Sequence, residues 1–402
     1  MQKQLNKVSR KLNIFIAFAG IISLLFTLTS FYIPSENIQV RIFSHLKINS
    51  LQLSIKTGTY NFMGDGNILG EALPESLFKI TIKNDSLQLS QNDKLLGCFK
   101  FLNFVGKENN NELRLKLNNP DRKLRTYQNN LGFSVSDATI KIINDVILDN
   151  YVAGVTEAEA GSHSGLEFYK VQTILARTFA LGHLNKHSAE GFSLCDQVHC
   201  QVYYGKPKNV TIFNAVTDTK GKVVVDENLN LIVAAFHSNS GGQTANSEDV
   251  WGTRTSYLKG IIDTFSLNMP NFNWERKMLT DDWLSYLKLK HNFPISDAEA
   301  KFAVLNFKQA ERKIFLEYNN YKIPLKSIRQ DLQLKSTFFS ISEINKDSIL
   351  FKGRGYGHGL GMCQEGAMRM SKLGYNYNQI LNFYYKNIQL IDLHKLSFFK
   401  DE

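Results

Sequence analysis

Charge is missing from one long stretch of this 402-residue chain: from Leu12 to Ser35 there is no Asp, Glu, Lys or Arg. A run of 24 such residues can cross a bilayer at about 1.5 Å rise per residue, and its uniform apolarity argues against a buried core helix. The apolar run is long for a signal peptide and no clear small-x-small cleavage site closes it before Pro34, which favours an uncleaved anchor over a removed signal peptide. Lys3, Lys7, Arg10 and Lys11 precede the run, so the positive-inside rule places the N-terminal end in the cytoplasm and the remainder outside. Cysteine is scarce. Of the four, only Cys195 and Cys200 stand close together, which confines metal or short-range disulfide chemistry to one segment. Acidic residues are outnumbered 37 to 47 by basic ones, for a net charge of +10. That balance favours polyanionic partners without choosing between nucleic acid, anionic lipid and acidic wall polymer. Internal repeats and low-complexity tracts are absent.

What is present reads as an α+β chain whose 43% hydrophobic content can bury a large core. From Val40 to Thr139, short alternating runs such as IQVRIF, LQLSIKTG, LFKITIKN and LRLKLNN are broken by Asn, Gly, Asp and Pro, the pattern of strands and hairpins. The next segment, IKIINDVILDNYVAGV, predicts two more strands. A helix follows from Gly165 to Leu184, with Ser164 and Glu167 spaced as a capping box. Strands return at KGKVVVDENLNLIVAAFHS, helices are predicted over Lys277–Leu287 and Ser296–Asn306, and KIPLKSIRQDL is mixed. An αα pair, Met362–Leu373 and Tyr377–Tyr385, is punctuated by Gly374.

Four segments carry candidate chemistry. In YVAGVTEAEAGSHSGLEFYKVQTILARTFAL, Glu157 and Glu159 share a face if the backbone is extended and diverge by about 200° if it is helical. On residue type alone both can be plain solvated carboxylates. Arg177, alone on an otherwise apolar helix, requires a carboxylate partner, either Glu159 or a substrate acid. In HSAEGFSLCDQVHC, His187, Cys195, His199 and Cys200 form a Cys2His2 set suited to tetrahedral Zn2+, with His183 able to replace His187 and a Cys195–Cys200 disulfide as the competitor. Cys98 and Cys363 read as small buried residues. In SNSGGQT, Ser240, Gly241 and Gly242 form a turn that lets backbone approach a ligand; Glu248, Asp249 and Trp251 follow. Trp251 either stacks on a sugar or fills core. In GRGYGHGLG, Tyr356 and His358 alternate with glycines. The dinucleotide fingerprint is not supported there, because no βαβ unit with a following acidic residue is apparent.

These three glutamate- and glycine-bearing segments, in this order, resemble the stage II sporulation protein D family with its SpoIID/LytB domain, peptidoglycan lytic transglycosylases and their relatives. The similarity runs from about Val40 to Leu393. With the N-terminal run read as a cytoplasmic tip and anchor (or signal peptide) over 1–35, the chain divides into a β-rich region over 36–139, a catalytic domain of mixed α/β structure over 140–393, which the resemblance implies, and a tail over 394–402. The resemblance makes Glu159 the general acid/base, places Arg177 in the catalytic set, and assigns Ser240, Gly241, Gly242, Trp251, Tyr356 and His358 to the glycan groove, His358 reaching sugar or Glu159. It also implies a structural zinc on His187, Cys195, His199 and Cys200 beside the cleft, and no organic cofactor. The implied activity is non-hydrolytic cleavage of MurNAc–GlcNAc linkages in peptide-free strands to 1,6-anhydro products. The alternatives are a glycan-binding activator of a cell-wall amidase, and a hydrolase pairing Glu159 with Glu248 or Asp249. Peptidoglycan, the membrane and an amidase are thus the expected partners, with nucleic acid excluded. Ala160-Gly161 stands where the family often has Met-Pro.

Overall fold

The computed structural model describes residues 37–393. The expected span over residues 12–35 lies outside them, and among the described residues no helix is long and apolar enough to cross a membrane.

The alternating runs form two sheets. Strands β1 (Asn37–Ile42), β2 (Ser50–Thr57), β3 (Tyr60–Gly64), β4 (Asn67–Ala72), β5 (Leu77–Lys83) and β6 (Ser86–Gln91) come first. Then follow β7 (Lys94–Phe99), β8 (Phe101–Gly106), β9 (Glu112–Asn119), β10 (Arg125–Gln128), β11 (Asn130–Ser136), β12 (Thr139–Ile147) and, further on, β13 (Leu194–Cys195). One sheet has the order β13-β1-β12-β11-β8-β3-β4 and the other β10-β9-β2-β5-β6-β7. Period-two patterning buries Leu51, Leu53 and Ile55 of β2 beside Leu113, Leu115 and Leu117 of β9. The sheets meet through Phe78 of β5, whose ring lies 5.1 Å from Phe62 of β3 and 5.0 Å from Phe104 of β8. Asn92 and Asp93 both take positive φ (47° and 65°), as a two-residue hairpin between β6 and β7 requires.

β12 crosses the anticipated 139/140 boundary and runs directly into helix α1 (Leu148–Ala160). The second strand expected here is therefore a helix. Its cause is packing: Tyr151, Val152, Ala153, Val155 and Thr156 are buried, and Gly154 lies so close to Gly205 O and the Tyr203 ring that a Cβ would fall 2.3 and 2.5 Å from them. Helix α2 (Leu166–Gly182) packs on α1 and on α3 (Val210–Asp218). The expected capping box is not formed: Gly165 is the cap residue without a side-chain bond, and Glu167 accepts instead from Lys170 Nζ and Tyr377 N.

The remainder supplies β14 (Lys222–Val225), β15 (Phe236–His237), α4 (Ser247–Trp251), β16 (Asn273–Leu279), α5 (Thr280–His291), α6 (Ala298–Leu305), β17 (Phe315–Tyr318), β18 (Tyr321–Pro324), α7 (Leu325–Asp331), β19 (Phe339–Asn345) and β20 (Ser348–Arg354). It ends with β21 (Met362–Cys363), α8 (Gln364–Lys372), α9 (Tyr377–Tyr384) and β22 (Gln389–Asp392). The helix anticipated from Lys277 begins only at Thr280, because β16 pairs with β20 through Leu279. Two hydrophobic cores result. The larger joins both N-terminal sheets to α1, α2, α3, α8 and α9; the smaller, centred on Trp283, lies within residues 274–351.

Candidate active site

Because the last turn of α1 is helical, its two glutamates point apart. Glu157 Oε1 accepts hydrogen bonds from the backbone N–H groups of Lys208 (2.9 Å) and Asn209 (3.0 Å), fixing the entry to α3. Glu159 Oε1 accepts from Val202 N at 2.8 Å, while its Oε2 has no hydrogen-bond partner among the described residues. Burial raises the pKa of the Glu159 carboxyl, opposed only by the Val202 N–H. The Glu159 carbonyl accepts from Gln364 Nε2 at 3.1 Å, which joins this turn to the start of α8.

Arg177 does not reach Glu159. It is 1% exposed and donates to Asp149 Oδ1 at 2.9 Å, Thr219 O at 2.8 Å and Lys222 O at 3.2 Å. The guanidinium thus ties α2 to the first turn of α1 and to the turn between α3 and β14. The anticipated carboxylate partner is Asp149, and a substrate acid has no access to a side chain so enclosed.

Beside Glu159, the cysteine and histidine segment closes on itself. The ligand atoms of His187, Cys195, His199 and Cys200 all lie within 4.8 Å of one another. Cys200 Sγ is 3.5 Å from His187 Nε2 and 3.9 Å from His199 Nδ1, and Cys195 Sγ is 4.0 Å from His199 Nδ1. Tetrahedral zinc with bonds of about 2.3 Å to sulfur and about 2.0 Å to nitrogen has ligand-to-ligand edges of roughly 3.3–3.8 Å, so the set is slightly open for that ion. His187 Nδ1 lies 2.5 Å from Glu190 Oε1, the carboxylate contact that leaves Nε2 as the coordinating nitrogen. His183 is instead stacked on Phe179, with Nδ1 on the Phe179 carbonyl. All four cysteines are free thiols. Cys363 is buried as anticipated, whereas Cys98 is exposed.

The two glycine-rich segments lie against each other. Asn239 and Tyr356 exchange backbone hydrogen bonds of 3.0 and 2.8 Å, and a Cβ on Gly241 (φ +69°) would lie 2.8 Å from the Arg354 carbonyl carbon. Ser240 and Gly241, expected to line a groove, are buried. The Ser240 hydroxyl is spent on Asp263 Oδ2 (2.8 Å) and Ser266 Oγ (2.7 Å). His358 turns inward too: Nδ1 accepts from Leu360 N at 3.0 Å, the ring bonds the Phe236 backbone, and it packs 5.7 Å from the His237 ring. Burial, with Arg329 and Arg312 adding to it, brings His358 down to about 4. What these segments show to solvent is aromatic: Tyr356 is 45% and Trp251 44% exposed. Trp251 therefore does not fill core; its ring centroid is 6.3 Å from that of His358.

A model of the SpoIID family, stage II sporulation protein, matches residues 136–225, the span that carries Glu159, Arg177 and the Cys2His2 cluster. The SpoIID likeness thus holds for residues 136–225. The chain is 28% identical over 264 residues to stage II sporulation protein D of Bacillus subtilis, covering 62% of this chain and 75% of that one. An uncharacterized protein of Brachyspira hyodysenteriae is 28% identical over 280 residues, 67% of this chain and 74% of its own. The amidase enhancer of Bacillus subtilis is 30% identical over 289 residues, covering 59% of this chain and 40% of that relative.

Three positions that hold this site were not singled out from sequence: Val202, Gln364 and Asp149. The first acts through its backbone N–H, which no side-chain pattern reports. Gln364 opens the helix directly after the GRGYGHGLGMC run, and Asp149 is the sole acidic residue in the first turn of α1; these are the signals that point to them.

Proposed function

We propose that this protein cleaves peptidoglycan glycan as a lytic transglycosylase, with Glu159 as its general acid and then base. The carrying observation is the Glu159 carboxyl itself: one oxygen held by the Val202 N–H, the other free, and the proton retained to higher pH by burial. Glu159 gives that proton to the bridging oxygen as the glycosidic bond breaks. The sugar's own C6 hydroxyl then bonds to C1 and returns its proton to the carboxylate, so no water is consumed and the product is a 1,6-anhydro sugar. One carboxylate suffices for this route. A hydrolase needs a second carboxylate, about 5–9.5 Å from the first.

Zinc on His187, Cys195, His199 and Cys200 belongs to the same proposal. Four protein ligands leave no open position, so the ion is structural, and bound there it holds the segment whose Val202 N–H orients Glu159. The protein works outside the membrane, where the wall glycan lies, on the anchor read from residues 12–35.

The second reading, a glycan-binding activator of a cell-wall amidase, is favoured by the similarity to the amidase enhancer. Incubating the purified full-length protein with amidase-treated strands and weighing the products separates the possibilities. Anhydro ends support the transglycosylase, ends one water heavier a hydrolase, and unchanged strands with stimulated amidase turnover the activator.

A further inference from the structure

Behind the glycine-rich turns, cations gather without acids. Arg312 precedes β17, Arg329 lies on α7 and Arg354 ends β20. Arg312 and Arg354 both pack on the ring of Phe338, at 4.9 and 3.9 Å from its centroid. Their charge is turned on carbonyl oxygens: Arg312 donates to Gln243 O and Ser240 O, both at 2.6 Å, and Arg354 to Ala310 O at 2.9 Å. Arg329 donates only Nε, to Leu334 O at 3.3 Å, and its terminal nitrogens have no hydrogen-bond partner among the described residues. Lys335 is exposed, with Nζ 5.6 Å from the Tyr356 ring centroid. None of these four side chains is ion-paired among the described residues.

Arg329 and Lys335 face a cavity of about 320 Å3 whose other walls are Gln330, Gln333, Leu334 and Tyr356. That volume is at the small end of ligand sites, which start near 300 Å3, and fits a group about the size of one sugar. Clustered guanidiniums with no acid nearby repel one another, so a bound anion gains the charge-assisted bonds that the protein leaves unmade. The half-exposed Tyr356 ring offers an apolar wall next to that charge. A ring-bearing acid uses both features; a bare inorganic anion uses one.

We propose that this cavity is an acidic-sugar subsite, in which the Arg329 guanidinium and Lys335 ammonium bind a sugar carboxylate while Tyr356 packs on the sugar face. The source of the carboxylate rests on the glycan reading above: strands stripped of peptide expose one lactyl acid on each muramic sugar. The subsite takes over the selection of that acid, which Arg177 is too enclosed to perform.

Calorimetric titration of full-length Glu159→Gln protein, which binds without cutting, tests this with two probes: peptide-free strands, and the same strands with their carboxyls capped as amides. Capped strands are expected to bind roughly ten-fold more weakly. Lys335→Gln and Arg329→Gln, each added to Glu159→Gln, should bring uncapped strands to that same weaker level and leave capped strands unaffected. The Lys335 side chain is exposed and makes no hydrogen bond among the described residues, and the backbone carbonyl that accepts from Gly357 N is kept in the variant, so Lys335→Gln reports on binding even if Arg329→Gln folds poorly. Equal binding of capped and uncapped strands overturns the subsite while the glycan reading stands. Failure of any strand to bind overturns both. If inorganic phosphate displaces uncapped strands at micromolar concentration, the occupant is a phosphate and the carboxylate assignment falls.

Discussion

Burial with a single opposing N–H holds the proton on the Glu159 carboxyl to higher pH than on an ordinary glutamate. The sign follows directly. An unfolded glutamate titrates near about 4.3 and the folded one above it, so the folded state holds the extra proton between those values. Stability therefore falls as pH rises through that window and is level beyond it. Glu159→Gln keeps an oxygen for Val202 N and cannot ionise. Thermal melts between about pH 4 and 8 should show a flatter profile for the variant and a higher midpoint at the alkaline end, with cleavage reduced by roughly 100-fold or more. Parallel profiles would mean that the carboxyl is unperturbed. Arg177 makes the opposite case, a charge kept for architecture. Its replacement by Met strips donors from Thr219 O and Lys222 O and leaves Asp149 alone at the start of α1. Since the Asp149 side chain is 27% exposed, the loss should fall at the low end for a broken buried pair, about 3 kcal/mol by denaturant titration. Glycan binding per folded molecule should be unchanged; a selective loss of binding with normal stability would return Arg177 to the substrate site.

At the scale of elements, strands were legible where solvent and core alternate, as in β2 and β9, because a half-buried strand writes its period into the residues. Helix α1 was not. Val146, Ile147, Val152 and Val155 give its neighbourhood a strand-like composition, and the deciding contact, Gly154 on Gly205 and Tyr203, joins segments about 50 residues apart. The same divide runs through the site. The Cys2His2 residues declared themselves by type within a short segment and Glu159 by its place in the family motif, whereas Gln364 meets Glu159 across 205 residues. That dependence gives the Cys2His2 segment a testable role, since β13 holds Cys195 on β1 through Val40 and Leu194 and Val202 follows Cys200 by two residues. One zinc per chain is expected by elemental analysis, and four thiols should titrate in the denatured, unreduced protein. Chelation or Cys200→Ser should lower the melting midpoint by several degrees. Two titratable thiols would mean that Cys195 and Cys200 are oxidised to each other and that zinc is not the tie.

On the scale of the whole molecule, the two hydrophobic cores divide the labour. The core running from Ile38 to Tyr385 carries Glu159, Arg177 and the Cys2His2 segment; the core of residues 274–351 carries β16, α7, β19 and β20, and so positions Arg329 and Lys335. Trp283 is the keystone of the second: fully buried, its Nε1 donating to Val304 O at 3.2 Å and its ring set edge-on to Phe351 at 5.3 Å. Trp283→Ala should cost about 3–5 kcal/mol, and native-state hydrogen exchange can locate the loss. Amides of β16, β19 and β20 should exchange faster while those of α1 and α2 keep their protection, because the damaged core shares no buried side chain with theirs. Binding then separates accordingly: discrimination between charged and capped strands is lost with the second core, while cleavage through Glu159 persists in the first. Equal loss of protection in α1 would show that the chain unfolds as one cooperative unit, and that charge selection and bond cleavage cannot be uncoupled by packing.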